Sequence, residues 1–132
     1  MSSPAIVISG SESILSACIK MSRHKIGSLI VVDKKKNPVG IITEKDIINR
    51  IICAKKNIEK ASVQDAMTPD IITIEKFAKL EDAILLFKKH RIKKLVVVSN
   101  KKIAGMISVW DITIAKPELT REFIDSWIKP RW

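Results

Sequence analysis

The sequence predicts an α+β fold with α/β-type layers, built from a β-α-β-β-α unit that occurs twice. Three observations lead to this prediction. Matching residues recur along most of the chain at a spacing of 66 and then 65 positions. Each copy has a helical apolar pattern followed by two apolar strands with a polar turn between them. Each copy also ends in an apolar strand that breaks into a helix, at residues 40–47 and again at residues 105–112.

The internal repeat is visible residue by residue. At the first spacing Ala17 matches Ala83, and residues 29–32 match residues 95–98. After the loss of one position, Asp46 matches Asp111. The lost position falls in the polar stretch between two strands, where loops tolerate deletions better than the elements they connect. The chain is therefore expected to be a tandem duplication.

Each copy predicts the same order of elements. A short extended segment comes first and a helix follows, which in the second copy has apolar residues at i, i+3, i+4 and i+7. The next strand is apolar without alternation, so it should be covered on both faces and should pair with the following strand as a hairpin. The predicted segments are extended at 5–8 and 71–74, helical at about 12–24 and 79–90, and strand at 29–32 and 95–98.

The repeat also sets the expected boundaries. We expect the first repeat at 1–56, a polar linker at 57–62, the second repeat at 63–116 and a tail at 117–132, all in one globular module. Ser62 should cap a helical turn at 63–67 that leads the second repeat. The first repeat is not expected to have such a leading turn.

The tail predicts an amphipathic helix with a basic end. Its apolar stripe consists of Leu119, Phe123, Ile124, Trp127 and Ile128. A stripe of this kind needs a surface to cover. We expect it either to pack where the first repeat lacks its leading turn or to form a dimer contact.

The composition fits a cytoplasmic globular protein. Apolar residues make up 46% of the 132 residues, which is enough for a hydrophobic core. No run approaches the roughly 18 apolar residues that a membrane span needs, and the first residues lack the plan of a secretory signal. Cys18 and Cys53 have neither metal-ligand nor disulfide-framework spacing, so we expect buried free thiols and no metal or cofactor.

The net charge of +10 favours polyanionic partners. The lysines, however, are spread over loops and exposed helix faces, as on an ordinary solvated surface. Trp110, Trp127 and Trp132 are expected in the core or an interface, because surfaces that stack bases present exposed aromatics beside basic residues. The sequence has no nucleophile–base pair, metal set or phosphate-cradling glycine loop, so an enzyme is not expected.

The two corners are the candidate binding features. Thr43 with Asp46, and Ser108 with Asp111, have the spacing of a helix N-cap, and capping alone explains both residue types. The same geometry also suits a nucleoside. A helix N-terminus with a hydroxyl can hold phosphate oxygens, and a carboxylate accepts hydrogen bonds from the vicinal hydroxyls of a ribose. The residues alone leave both interpretations open.

The repeated unit resembles the CBS domain family, named after cystathionine β-synthase. The resemblance rests on the order of elements and on the sequence motif of the corner. This motif consists of glycine, two apolar residues, threonine or serine, two variable positions, aspartate and an apolar residue. Two such units resemble a CBS pair, or Bateman module, across residues 6–114. This implies two units packed about a pseudo-two-fold axis, with two clefts that bind AMP, ADP, ATP or S-adenosylmethionine. It also implies a disk-like homodimer and a regulatory role without catalysis.

The resemblance also implies the site residues. The corner aspartate would hold the ribose, the corner hydroxyl would contact ribose or phosphate, and the opposite unit would line the adenine pocket. One cleft would be formed by Ile6, Ile26, Lys94, Met106, Ser108 and Asp111, and the other by Ile41, Thr43, Asp46, Ile72, Ile92 and Lys93.

The two clefts should differ in phosphate binding. In this family a basic residue at the start of the second strand often meets the phosphates, and Lys93 and Lys94 stand where the first repeat has Gly27 and Ser28. We therefore expect the cleft of Asp111 to be the better phosphate site. The expected function is a sensor of an adenosine-containing ligand that acts on a separate partner protein. The alternative is nucleic-acid or polyanion binding through the basic surface.

Overall fold

The computed structural model describes residues 5–119 and residue 121. The chain divides into two compact units, of which the first is Ala5–Ile71 and the second holds the described residues from Ile72 onward. The rest of the predicted tail helix, with Phe123, Ile124, Trp127 and Ile128, lies outside the described residues, as does Trp132.

The first unit is a four-stranded sheet with helices. Its strands are β1 (Val7–Ser9), β2 (Ser28–Val32), β3 (Pro38–Thr43) and β4 (Thr68–Pro69), in that order across the sheet. The β1–β2 pair is parallel, and the other two pairs are antiparallel. Helix α1 (Ile14–His24) makes the crossover that a parallel pair requires. After β3 come helix α2 (Glu44–Ile47), a π-helical turn (Ile48–Ile52) and helix α3 (Val63–Ala66).

The second unit repeats this order. It contains β5 (Thr73–Glu75), α4 (Leu80–His90), β6 (Lys94–Ser99), β7 (Lys102–Ser108), α5 (Val109–Ala115) and a 3₁₀ turn (Pro117–Leu119). The sheet order is β5-β6-β7, with β5 parallel to β6 and β6 antiparallel to β7. The predicted α+β fold and the duplication of the β-α-β-β-α unit are thus confirmed.

Helix α1 has a side-chain cap at its start, and helices α1 and α4 end in the same backbone conformation. Ser13 caps the start of α1, where its side chain accepts a hydrogen bond from the backbone N–H of Ser16 at 3.1 Å. Lys25 and Arg91 follow the two helices with φ of 55° and 51°. This left-handed conformation ends many helices, and here it turns the chain from each helix into its central strand.

Each unit has its own hydrophobic core. The central strands are buried, β2 at every residue and β6 at 95–98, which confirms that both are covered on both faces. The first core consists of Ile8, Ile14, Ala17, Met21, Leu29, Val31, Ile42, Ile47, Ile51, Val63 and Ala66. The second core consists of Ala83, Phe87, Leu95, Val109 and Ile112, with partly buried apolar side chains around them.

The turns of the two hairpins differ. In the first hairpin, Asp33 Oδ1 accepts hydrogen bonds from the backbone N–H groups of Lys35 and Asn37, both at 2.9 Å. In the second hairpin, Asn100 and Lys101 both have positive φ, at 53° and 67°, as a type I′ turn requires. The length difference between the repeats is therefore accommodated at these turns.

A bulge interrupts each hairpin at the same place. The pairing register shifts between Val31 and Val32 in the first hairpin and between Val97 and Val98 in the second. These positions match at the spacing of 66 residues. Between the bulge and the end of the second strand, the residues of the two hairpins pair in equivalent positions.

The linker and α3 pack into the first unit. The backbone N–H of Ile14 donates to the carbonyl of Ala61 at 3.0 Å, and Val63 and Ala66 belong to the first core. Ser62 is the N-cap residue of α3, as predicted. The compact units divide at Ile71, so α3, which the sequence assigns to the start of the second repeat, is structurally part of the first unit.

The predicted burial of both cysteines is wrong, and Trp110 does not lie in the core. Cys53 is exposed and Cys18 is only partly buried, although burial still raises the pKa of the Cys18 thiol. Cys53 directly follows the π-helical turn, in which Ile51 is the buried residue. Trp110 is 51% exposed, since α5 directs Val109 and Ile112 inward instead. A place for Trp110 in an interface stays a prediction.

Replacing Phe87 with alanine should destabilise the protein by about 3–5 kcal/mol, because a large buried side chain would leave a cavity. Phe87 is fully buried in the second core. Leu85 lies on the same helix and is 64% exposed, so Leu85→Ala should change the stability by no more than about 0.5 kcal/mol. Urea unfolding followed by circular dichroism measures both variants. Equal losses would contradict this assignment of the core.

Candidate functional site

Both predicted corners are present in the structure. Strand β3 ends at Thr43 and α2 begins at the next residue, while β7 ends at Ser108 and α5 begins at the next residue. Thr43 and Ser108 both have extended backbone conformations, as N-cap residues do. The two corners therefore share one local geometry.

In the first corner, Thr43 and Asp46 cap each other. The backbone N–H of Asp46 donates to Thr43 Oγ1 at 3.2 Å, and the backbone N–H of Thr43 donates to Asp46 Oδ2 at 3.0 Å. This is a capping box, which satisfies two backbone donors reciprocally. The second carboxylate oxygen is also used, because the hydroxyl of Thr68 on β4 donates to Asp46 Oδ1 at 3.3 Å.

In the second corner, the cap uses only one carboxylate oxygen. The backbone N–H and the hydroxyl of Ser108 donate to Asp111 Oδ2 at 2.7 and 3.1 Å. The backbone N–H of Asp111 returns a hydrogen bond to Ser108 Oγ at 3.2 Å. The cap therefore does not require Asp111 Oδ1, whereas both oxygens of Asp46 accept hydrogen bonds within the first unit.

The start of each central strand lies beside its corner. The backbone N–H of Glu44 donates to the carbonyl of Gly27 at 3.0 Å, and that of Val109 donates to the carbonyl of Lys93 at 2.9 Å. One residue further, Ser28 pairs with Thr43 and Lys94 pairs with Ser108 across the antiparallel strands. The structure therefore places Lys94 opposite the hydroxyl residue of the second corner.

The charges at the two corners differ. In the first corner the carboxylate of Glu44 lies beside Gly27, so that a side chain at position 27 would have to displace it. The first corner thus holds Glu44 and Asp46, with the exposed Lys45 between them. The equivalents of Glu44 and Gly27 in the second corner are Val109 and Lys93. The second corner consequently has one carboxylate and two neighbouring lysines.

The structure brings the predicted site residues together in two groups. In the first unit, Ile41, Thr43 and Asp46 belong to one corner. In the second unit, the corresponding group is Lys94, Met106, Ser108 and Asp111. The apolar residues Ile6, Ile26, Ile72 and Ile92 are partly buried against the cores of their own units, and Lys93 is exposed. Each predicted cleft combines residues of both units, and that combination stays a prediction.

Sequence analysis missed Thr68, Glu44 and Arg50 at the first corner. Thr68 lies on β4, which pairs with β3 and brings the Thr68 hydroxyl to Asp46. Arg50 holds this segment in place by donating from Nη1 to the carbonyls of Ala66 and Met67 at 3.1 and 2.8 Å. A comparison of Glu44 with Val109 in the aligned repeats would have indicated the unequal charge.

The residues that the structure describes contain neither a metal-binding cluster nor a membrane-spanning helix. Within residues 5–119 and residue 121, no group of three or more His, Cys, Asp or Glu side chains is arranged to hold a metal ion. Within the same residues, no helix is long and apolar enough to cross a membrane.

Comparison with known proteins places the chain in a family. The family model for the CBS domain matches residues 1–53 and 63–118. An uncharacterised protein of Methanopyrus kandleri is 34% identical over 116 residues, which are 86% of this chain and 59% of that protein. This chain thus spans less than two thirds of that relative.

Solved structures agree with the family model. The crystal structure of an uncharacterised conserved protein from Pyrococcus horikoshii has a TM-score of 0.74 and 29% identity, over 84% of this chain and 83% of that one. A hexameric CBS-CP12 protein from bloom-forming cyanobacteria has a TM-score of 0.77 and 26% identity, over 92% of this chain and 70% of that one. The chain therefore belongs to the CBS domain family, and its two repeats form a CBS domain pair, a regulatory module that generally binds adenosine ligands.

Proposed function

We propose that this CBS pair is a non-catalytic sensor that binds a phosphorylated adenosine ligand (AMP, ADP or ATP) at the corner of Ser108 and Asp111. The observation that carries the proposal is the position of Lys94, opposite Ser108 in the β6–β7 register. One small area of the second unit thus combines a carboxylate, a hydroxyl and a cation. These are the groups that a ribose with an attached phosphate requires.

Asp111 is suited to hold the ribose. A carboxylate has two oxygens and about four lone-pair sites, and it only accepts hydrogen bonds. The cap occupies Asp111 Oδ2, so the second oxygen can accept from a ribose hydroxyl while the cap stays intact. The side chain is held by the cap before the ligand arrives, which reduces the entropy lost on binding.

The lysines favour a phosphate at the second corner. Two unit charges about 4 Å apart attract by roughly 1 kcal/mol in water and by more near a protein surface. Lys94 neighbours this corner in the strand register, whereas Lys93, which the resemblance assigns to the other cleft, meets it through its backbone carbonyl. In the first corner, Glu44 and Asp46 would repel a phosphate, and Thr68 already donates to the second oxygen of Asp46. We therefore infer that the first corner is the weaker phosphate site and suits a neutral or cationic nucleoside such as S-adenosylmethionine better.

The remaining expectations from the sequence belong to the same proposal. Ile6 and Ile26 would line the adenine pocket of the second corner, and Ile72 and Ile92 that of the first. We propose that the module is cytoplasmic, assembles as a homodimer and regulates a separate protein. The alternative function is binding of nucleic acid or another polyanion, which the net charge of +10 favours.

Asp111→Asn should weaken AMP binding at least tenfold, which corresponds to about 1.4 kcal/mol, because a neutral amide is a weaker acceptor than a carboxylate. Asparagine can still accept the capping hydrogen bonds, so the fold should persist. The matched variant Asp46→Asn should lower the affinity by a smaller factor. Isothermal titration of nucleotide-stripped protein at 150 mM salt, a condition chosen to limit surface electrostatics, measures both. Equal losses would refute the asymmetry of the corners.

Lys94→Met should weaken AMP binding roughly fivefold, which corresponds to about 1 kcal/mol of lost charge attraction, while the affinity for unphosphorylated adenosine should stay nearly constant. Lys89→Gln is the control, because Lys89 is an exposed lysine in the last turn of α4. The same titrations with both ligands provide the measurement. An equal loss for adenosine and AMP would argue against a phosphate contact.

The titrations also decide between the two functions. If AMP, ADP, ATP and S-adenosylmethionine all fail to bind, and an oligonucleotide binds with an affinity that falls steeply as salt rises, the basic surface is the functional one. The corners would then serve only as helix caps.

A further inference from the structure

An apolar groove opens in the second unit, between the start of α4 and the edge of its sheet. The cavity has a volume of about 310 Å³. Most of its lining residues are apolar, including Ile74, Phe77, Leu80, Ala83, Val97 and Ile107, and Glu75, Lys76 and Lys79 also line it. Phe77, in the loop between β5 and α4, is 87% exposed. An exposed phenylalanine at the rim of an apolar cavity indicates a surface that binds another apolar segment.

The equivalent place in the first unit is covered by the chain itself. The loop at residues 10–13 of the first repeat matches the loop at 76–79 of the second. The backbone N–H of Val63 donates to the carbonyl of Glu12 at 2.8 Å, and that of Gln64 donates to the carbonyl of Gly10 at 2.9 Å. The side chain of Val63 is fully buried beneath this contact. Helix α3, which follows the last helical turn of the first repeat in the chain, thus covers this loop.

In the second unit, the chain passes beside the start of α4 as it leaves α5. Lys116 Nζ lies 3.5 Å from Glu81 Oε1 in the first turn of α4, next to Leu80 in the groove. Leu119 packs against the second core. Residues 120–132 follow, a length that spans about 20 Å as a helix and about 40 Å when extended. The groove is therefore within reach of this segment.

We propose that the C-terminal segment of this same chain occupies the groove. Phe123, Ile124, Trp127 and Ile128 form the apolar stripe that the sequence predicts. In this position they would cover Phe77, as α3 covers the matching loop of the first unit. A tethered segment has an effective concentration of the order of millimolar, so it occupies the groove ahead of a second copy or another protein. This inference is independent of ligand binding.

The fluorescence of Trp127 tests the proposal. In the full chain with Trp110→Phe and Trp132→Phe, Trp127 is the only tryptophan. Its emission should be blue-shifted and poorly quenched by acrylamide, and Phe77→Ser should shift it to the red and increase the quenching. Leu85→Ser is the control, since Leu85 is similarly exposed on α4 and lies outside the groove. This control should leave the emission unchanged.

Hydrogen exchange gives a second readout that does not depend on Phe77. In the otherwise unchanged full chain, Ile124→Asp should accelerate amide exchange at residues 76–83 several-fold and leave residues 10–13 unchanged. The proposal is overturned if neither Phe77→Ser nor Ile124→Asp has its expected effect. It is also overturned if the emission shift appears only as protein concentration rises and sedimentation shows a larger species, because a second copy would then be the occupant.

Discussion

The reciprocal hydrogen bonds between a hydroxyl residue and the aspartate three positions later determine how each corner is built. They turn the chain from strand to helix while satisfying two backbone donors that the helix start leaves open. They also hold the aspartate in one orientation. The central strand, the helix and the candidate ligand groups all meet at this point, so the stability of the corner and the proposed binding would depend on the same few atoms. Helix capping and the proposed ligand binding would consequently be two uses of one arrangement.

The two repeats have kept this arrangement and changed what surrounds it. Glu44 has Val109 as its counterpart, and Gly27 has Lys93. Each replacement makes the second corner more positive than the first. Thr68 adds a difference of another kind, because it occupies the second oxygen of Asp46 with a hydrogen bond from within the unit. Each corner packs on the core of its own unit, through Ile47 in the first and through Val109 and Ile112 in the second.

The sequence predicts the features that depend on local pattern. The burial of β2 and β6 follows from their unbroken apolar runs, and the corners follow from the cap spacing, which involves residues only three positions apart. The contacts that sequence analysis missed join distant positions. Thr68 and Asp46 are 22 residues apart, and their contact depends on β4 pairing beside β3. Cys53 follows a π-helical turn, for which the sequence gives no signal. The position of the corners was thus predictable, and their individual hydrogen bonding was not.

The bulges of the two hairpins separate the turns from the corners. The turn after β2 is organised by Asp33 and the turn after β6 by two residues with positive φ, yet both hairpins regain equivalent pairing before the corner. The two repeats therefore differ in length at this end of the hairpin, and the pairing register at the corner is the same in both. The hairpin tips are the places where this chain can acquire a new recognition loop, or accept an engineered reporter, without altering the geometry at Thr43 or Ser108.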